Sequence, residues 1–167
     1  MTIVAVLGTG RMGGAIARRL AASRFDLAVW DRTTAKAQAL NVGRVAPTPA
    51  EAIRDADIVI SSLTNAAAVR EVYLGPQGAF ETPAGMENLF VEMSTAGPES
   101  IEELSREART RGLRLLEAPV LGSVPAVESG TLLCSLGARR KISRRPGRSS
   151  SVSARSTTSA ASAARPG

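Results

Sequence analysis

The chain has 167 residues, enough for one ordinary domain and too few for two full ones. A lone cysteine, Cys134, permits no internal disulfide, and without histidine there is no imidazole to serve as acid, base or metal ligand, which excludes dehydrogenases built on a His-Asp pair and most zinc enzymes. The net charge of +6 is unevenly held: residues 1–137 carry 13 Lys+Arg and all 15 Asp+Glu, whereas residues 138–167 carry 8 cations and no acid, so the basicity belongs to the tail.

In chain order, the first element is an aliphatic run, Ile3 to Leu7, that reads as a buried strand. Gly8-Thr9-Gly10-Arg11-Met12-Gly13 follows it and opens a helix over Met12 to Ala22, the context in which a Gly-x-Gly-x-x-Gly run signals dinucleotide binding. Its first glycine permits the tight turn, the second lets backbone approach a pyrophosphate, and the third lets helix and strand pack closely, with the helix dipole aimed at the anion.

A second strand, Leu27 to Trp30, ends at Asp31, eighteen positions beyond Gly13. A carboxylate there accepts the ribose hydroxyls of NAD and repels the 2′-phosphate of NADP. Arg32 and Thr33 pull the other way, because a guanidinium and a hydroxyl suit a 2′-phosphate, unless Arg32 is only a solvated surface charge. NAD and NADP therefore both stay open at this point.

Thr48-Pro49-Ala50-Glu51 reads as a capping box with Pro at the first helical position. Strands are predicted at Ile58 to Ser62, Leu89 to Met93 and Leu113 to Leu116, and a helix from Pro98 to about Arg111, with acids in its first turns and Gly112 closing it. A last strand is predicted over Thr131 to Leu136. Strands alternating with helices give an α/β fold, a Rossmann-type doubly wound, mostly parallel sheet, over residues 1–137. Residues 138–167 hold 8 Ser, 7 Arg and 6 Ala, with Ile142 and Val152 as their only branched aliphatics. They cannot bury enough apolar surface to offset the entropy of ordering and are expected to be a disordered basic tail. The tail lacks the interleaved aromatics of a nucleic-acid arm, so no nucleic-acid partner is expected. Nor is a membrane partner expected: no apolar run approaches the roughly 18 residues of a membrane span, and the N-terminus lacks the basic lead of a signal peptide, which predicts a cytoplasmic protein.

Four segments occur in a telling order: Val6-Leu7-Gly8-Thr9-Gly10-Arg11-Met12-Gly13, Trp30-Asp31-Arg32-Thr33, Glu92-Met93-Ser94-Thr95, and Glu117-Ala118-Pro119-Val120-Leu121-Gly122-Ser123 continuing to Gly130-Thr131-Leu132. Together they resemble the β-hydroxyacid dehydrogenase family, which includes 3-hydroxyisobutyrate dehydrogenase and the nucleotide-binding half of 6-phosphogluconate dehydrogenase. The resemblance implies an NAD(P)-dependent oxidoreductase that transfers hydride between a nicotinamide cofactor and a small hydroxy acid, carbonyl or imine substrate. It implies that Leu63 and Thr64 contact the cofactor, that Thr95 lies near the nicotinamide ribose with Ser94 beside it, and that Leu121, Gly122 and Ser123 form the substrate loop. In that loop Leu121 replaces the family's serine and Ser123 its second glycine, so the substrate is expected to differ from 3-hydroxyisobutyrate.

The family's proton donor is a lysine in a Gly-x-x-x-Lys helix well beyond the Ala-Pro-Val segment, at the start of a helical second domain. These residues include no such motif: the only lysines are Lys36 and Lys141, and Tyr73 is followed four positions on by Gln77 rather than Lys, which removes a short-chain dehydrogenase pair. Tyr73 reads as helix packing. No catalytic residue is therefore assigned, and the helical second domain is expected to be missing. After Gly137 the sequence has the composition of a GC-rich gene read out of frame, which predicts a frameshift there. Full-length relatives are expected to be homo-oligomers through the helical domain; no such assembly is expected of this chain. The alternative reading is a non-catalytic NAD(P)-binding module.

Overall fold

The computed structural model describes residues 2–81 and 87–135. The predicted tail, with Lys141, lies outside the described residues, as does Leu136 of the predicted last strand.

Six parallel strands form one sheet: β1 (Ile3–Leu7), β2 (Asp26–Trp30), β3 (Arg44–Val45), β4 (Ile58–Ser61), β5 (Leu89–Glu92) and β6 (Arg114–Glu117), in the order β3-β2-β1-β4-β5-β6. Chain order reverses beside β1, which pairs with β2 on one side and β4 on the other. A doubly wound sheet opens a crevice at the carboxyl ends of such neighbours. Helices cover both faces: α1 (Arg11–Ala22), α2 (Thr34–Ala39), α3 (Pro49–Ile53), α4 (Ala66–Leu74) and α5 (Pro98–Thr110). Beyond β6 a small antiparallel pair, β7 (Val120–Leu121) and β8 (Leu133–Cys134), brackets α6 (Val124–Ser129). No helical second domain stands among the described residues.

The strands are aliphatic on both sides because helices bury both faces. Ala5, Leu7, Val59 and Phe90 meet Ile53 of α3, Val69, Val72 and Tyr73 of α4, and Leu104 of α5 on one face. Val4, Val6, Leu27 and Val29 meet Ala17 of α1 and Ala37 of α2 on the other. A third cluster, Ala15, Ile16, Met93, Ala118 and Val127, ties α6 to α1 and the end of β5. Within the first face, the rings of Tyr73, Phe80 and Phe90 pack edge-on, with centroids 4.9 Å (Tyr73–Phe80) and 5.1 Å (Phe80–Phe90) apart.

The predicted strands 3–7, 27–30, 58–62 and 89–93 stand within a residue of their places, and the fifth is shifted to Arg114–Glu117. The predicted last strand is only Leu133–Cys134, and it pairs with β7 rather than joining the large sheet. The elements α2, α6, β3 and β7 are not expected from the sequence, and of α4 only the helical packing of Tyr73 is. The capping box is half formed: Thr48 Oγ accepts the Glu51 N–H at 3.1 Å, but the Glu51 carboxylate turns to Arg54 instead of back to the cap.

Phe90 packs edge-on against Phe80 in the aromatic trio and is completely buried. Phe90→Ala is expected to lower unfolding stability by about 3–5 kcal/mol, read as a reduced urea midpoint with little change in slope.

Candidate functional site

The turn from β1 to α1 is fixed by backbone contacts that only glycine allows. Gly8 has φ +91°, and a side chain there would run into the Ser62 carbonyl and Leu63. A side chain at Gly13 would collide with the Gly8 carbonyl, so the helix could not lie so close to the strand. Gly10 is different: its φ is −63°, and an added Cβ would meet no atom within 4 Å. The fold itself therefore makes no demand for glycine at this position, whereas a ligand lying on the backbone would. The same residue caps α1 without a side chain, and no acid stands in the helix's first turn. The first turn of this 12-residue helix thus leaves its N–H groups without a side-chain acceptor from the helix itself, as an anion site requires.

Asp31 is drawn into this turn. Its Oδ2 accepts the Thr9 N–H at 2.7 Å and the Thr9 hydroxyl at 3.0 Å, and its Oδ1 accepts the Thr33 N–H at 2.9 Å. The carboxylate staples the end of β2 to the glycine turn, beside the Gly8 N–H that donates to the Trp30 carbonyl at 2.8 Å. These three hydrogen bonds use both acceptor sites of Oδ2 and one of Oδ1, which leaves one site, on Oδ1, open to a further donor. Arg32 is largely exposed and stands 4.0 Å from Glu71 of α4, an ion pair of little energetic weight.

At the ends of β4 and β5 the segments that the sequence singles out are joined directly. The Leu63 N–H donates to the buried Ser94 hydroxyl at 2.8 Å, and the Ser94 N–H donates to Glu92 Oε1 at 2.7 Å. Thr64 and Thr95 are exposed on the same two turns. The structure thus brings together Gly8, Thr9, Gly10, Arg11, Met12 and Gly13 with Asp31 and Thr33, and joins Leu63 to Ser94. Leu121, Gly122 and Ser123 stand apart on β7 and the cap of α6, reached from α1 through Met12, Val120, Val124 and Leu132. Leu121 and its register partner Leu133 are both exposed.

Sequence reasoning assigns no site role to one polar cluster. Glu92 is fully buried and accepts a hydrogen bond from Ser61 Oγ, which lies 2.7 Å from the Tyr73 hydroxyl. Burial raises the Glu92 carboxyl above its ordinary range, partly offset by hydrogen bonds from Ser61 and Ser94. Burial, with the charge of Glu92 second, holds the Tyr73 phenol well above its usual value. The sequence signal was an acid closing an otherwise apolar strand, Leu-Phe-Val-Glu.

Comparison with known proteins agrees with this geometry. Residues 3–147 match the family described as the NAD binding domain of 6-phosphogluconate dehydrogenase. Cytokine-like nuclear factor N-PAC of Danio rerio is 35% identical over 143 residues, covering 83% of this chain and 30% of that protein. The structure of a 3-hydroxyisobutyrate dehydrogenase of Mycobacterium tuberculosis with L-serine superposes with a TM-score of 0.72 at 28% identity, over 82% of this chain and 46% of that one. Psf3 in complex with NADP+ and 2-OPP superposes with a TM-score of 0.72 at 32% identity, over 80% and 48%. The chain therefore spans about a third of the first relative and just under half of each solved structure.

Because its folded-state carboxyl is raised, Glu92 contributes stability that is full below its unfolded value near 4.5 and is lost as pH rises through the raised one. Tyr73 faces it through Ser61, and Glu117 of β6 holds the paired register position. Glu92→Gln, which cannot ionise, is expected to gain in melting temperature over the parent as pH is raised from 4 to 8, in differential scanning fluorimetry across that range.

Proposed function

The chain belongs to the family of the NAD-binding domain of 6-phosphogluconate dehydrogenase, and we propose that it is the cofactor-holding part of an NAD(P)-dependent oxidoreductase of the β-hydroxyacid type. Its cofactor is NAD or NADP. The observation that carries the reading is Gly10, a glycine with no packing reason to be one, at an uncapped helix end between two glycines the fold does require. When bound, the cofactor supplies the hydride. The chain's part is to seat it: the N–H groups after Gly10 face the pyrophosphate, Asp31 takes the adenosine ribose with Thr33 and Arg32 beside it, and Leu63, Thr64 and Thr95 border the nicotinamide half. Leu121, Gly122 and Ser123 would meet the substrate, a small hydroxy acid, carbonyl or imine. An exposed leucine where a hydroxyl would grip a carboxylate favours a substrate with an apolar flank. Cytoplasmic residence is part of this reading, and no helix among the described residues is long and apolar enough to cross a membrane.

A second reading has its own support. Among the described residues the only lysine is Lys36, next to the ribose motif, so none of them offers a lysine amine beside Ser94 or Leu121 to protonate a carbonyl oxygen. One relative is named a nuclear factor rather than an enzyme. These favour a non-catalytic NAD(P)-binding module. Oxidation of NADPH in the presence of small aldehydes, 2-oxo acids or imines would eliminate that module, and cofactor binding without turnover would support it.

Gly10→Ala separates binding from folding. It is expected to leave the melting temperature unchanged while weakening NADPH or NADH about tenfold to a hundredfold, as a methyl group wedged under the pyrophosphate would. Gly13→Ala is expected to lose stability as well as affinity. Titration of cofactor fluorescence beside thermal melts checks both, and a Gly10→Ala protein with undiminished affinity would remove the main support for the reading.

A further inference from the structure

Three polar residues and the backbone N–H of Leu63 at the carboxyl ends of β4 and β5 close a ring. Glu92 Oε2 accepts from Ser61 Oγ on β4, Glu92 Oε1 accepts from the Ser94 N–H, Ser94 Oγ accepts from the Leu63 N–H, and two peptide units return from Leu63 to Ser61. Glu92 has no exposed surface, and Ser61 and Ser94 are buried. Tyr73, reaching in from α4, completes the cluster at Ser61.

A carboxylate is a costly way to hold two strands that already share a backbone ladder, since an apolar residue of the same volume would pack there without desolvating a charge. What an apolar residue could not do is receive a hydroxyl from one strand and a backbone N–H from the turn after the next. The two oxygens of Glu92 set where Ser94 sits, and Ser94 in turn sets Leu63, whose side chain lies against Gly8 of the glycine turn. The ring thus reaches from buried core to the cofactor-facing turns without itself being exposed.

We propose that Glu92 is a positioning residue for the nicotinamide half of the cofactor, acting through Ser94 to hold the turns after β4 and β5 as one rigid unit. This rests on the dinucleotide reading of the site. The adenosine half is held elsewhere, by the glycine turn and Asp31, so the two halves respond differently to loss of the ring.

The test uses the full 167-residue chain, with NADPH and ADP as separate probes in calorimetric or fluorescence titrations. Glu92→Ala and Ser94→Ala are expected to weaken NADPH about five- to tenfold, the worth of one or two hydrogen bonds, while ADP affinity stays within about twofold. Glu92→Gln retains an acceptor for the Ser94 N–H and is expected to stay within about twofold of the parent for both probes. Equal losses for NADPH and ADP, or none, would overturn the proposal. Ser94→Ala carries the comparison should Glu92→Ala not fold. Amide exchange without any ligand provides the independent arm: the Leu63 and Ser94 amides should exchange faster in Glu92→Ala than in the parent, and unchanged exchange refutes the ring whatever binds. A parent chain that binds neither NADPH nor ADP refutes the dinucleotide reading instead, and the exchange result then still decides the ring.

Discussion

The contact on which the rest of the structure depends is the one between the Gly8 carbonyl and the Cα of Gly13. It sets how near α1 lies to β1, and through that the depth of the crevice beside the central strand. Neither position tolerates a methyl group, for different reasons. Gly8 needs a left-handed φ and clearance from the next strand's turn, whereas Gly13 needs only clearance. Asp31 then locks the arrangement from the neighbouring strand, so that the turn is held by glycine backbone on one side and by a carboxylate on the other.

From that turn outward, the site is a consequence of strand order. Parallel strands deliver their carboxyl ends to one rim, and the reversal beside β1 parts the connections that would otherwise cover it. Residues twenty, fifty and more than eighty positions apart thus arrive at one edge without any of them lying on a flexible excursion. The buried polar ring behind β4 and β5 answers a need of such rims: turns at strand ends lack ladder partners, and side chains must hold the groups that the sheet leaves over.

Much of this was legible in the sequence, for reasons that differ by element. Ile3–Leu7 is buried on both faces, Ile58–Ser61 is buried on one and partly buried on the other, and both so spell themselves out as aliphatic runs. The glycine turn is legible because its chemistry is covalent and local. By contrast β3 is two residues, Arg44 and Val45, that become a strand only because β2 lies alongside, and no local pattern announces it. The helix α4 is capped by Asn65, which accepts the Ala68 N–H, a cap not expected from the sequence, and its polar Arg-Glu centre hides the buried stripe of Val69, Val72 and Tyr73. The association of Ser61 with Tyr73 and Glu92, 12 and 31 residues away, exists only after the sheet has formed. Asp31 was legible as a ribose acceptor and not as the staple of Thr9, since the second role depends on where β2 ends relative to β1.

Trp30 is the chain's only tryptophan, and it occupies the last place of β2, half-buried, with its carbonyl receiving the Gly8 N–H and Asp31 following it. The indole is therefore an optical probe already stationed at the rim. Its emission arises from a single environment with no second indole to dilute it. Any change in the polarity or packing of that rim is reported by the native protein, without a label.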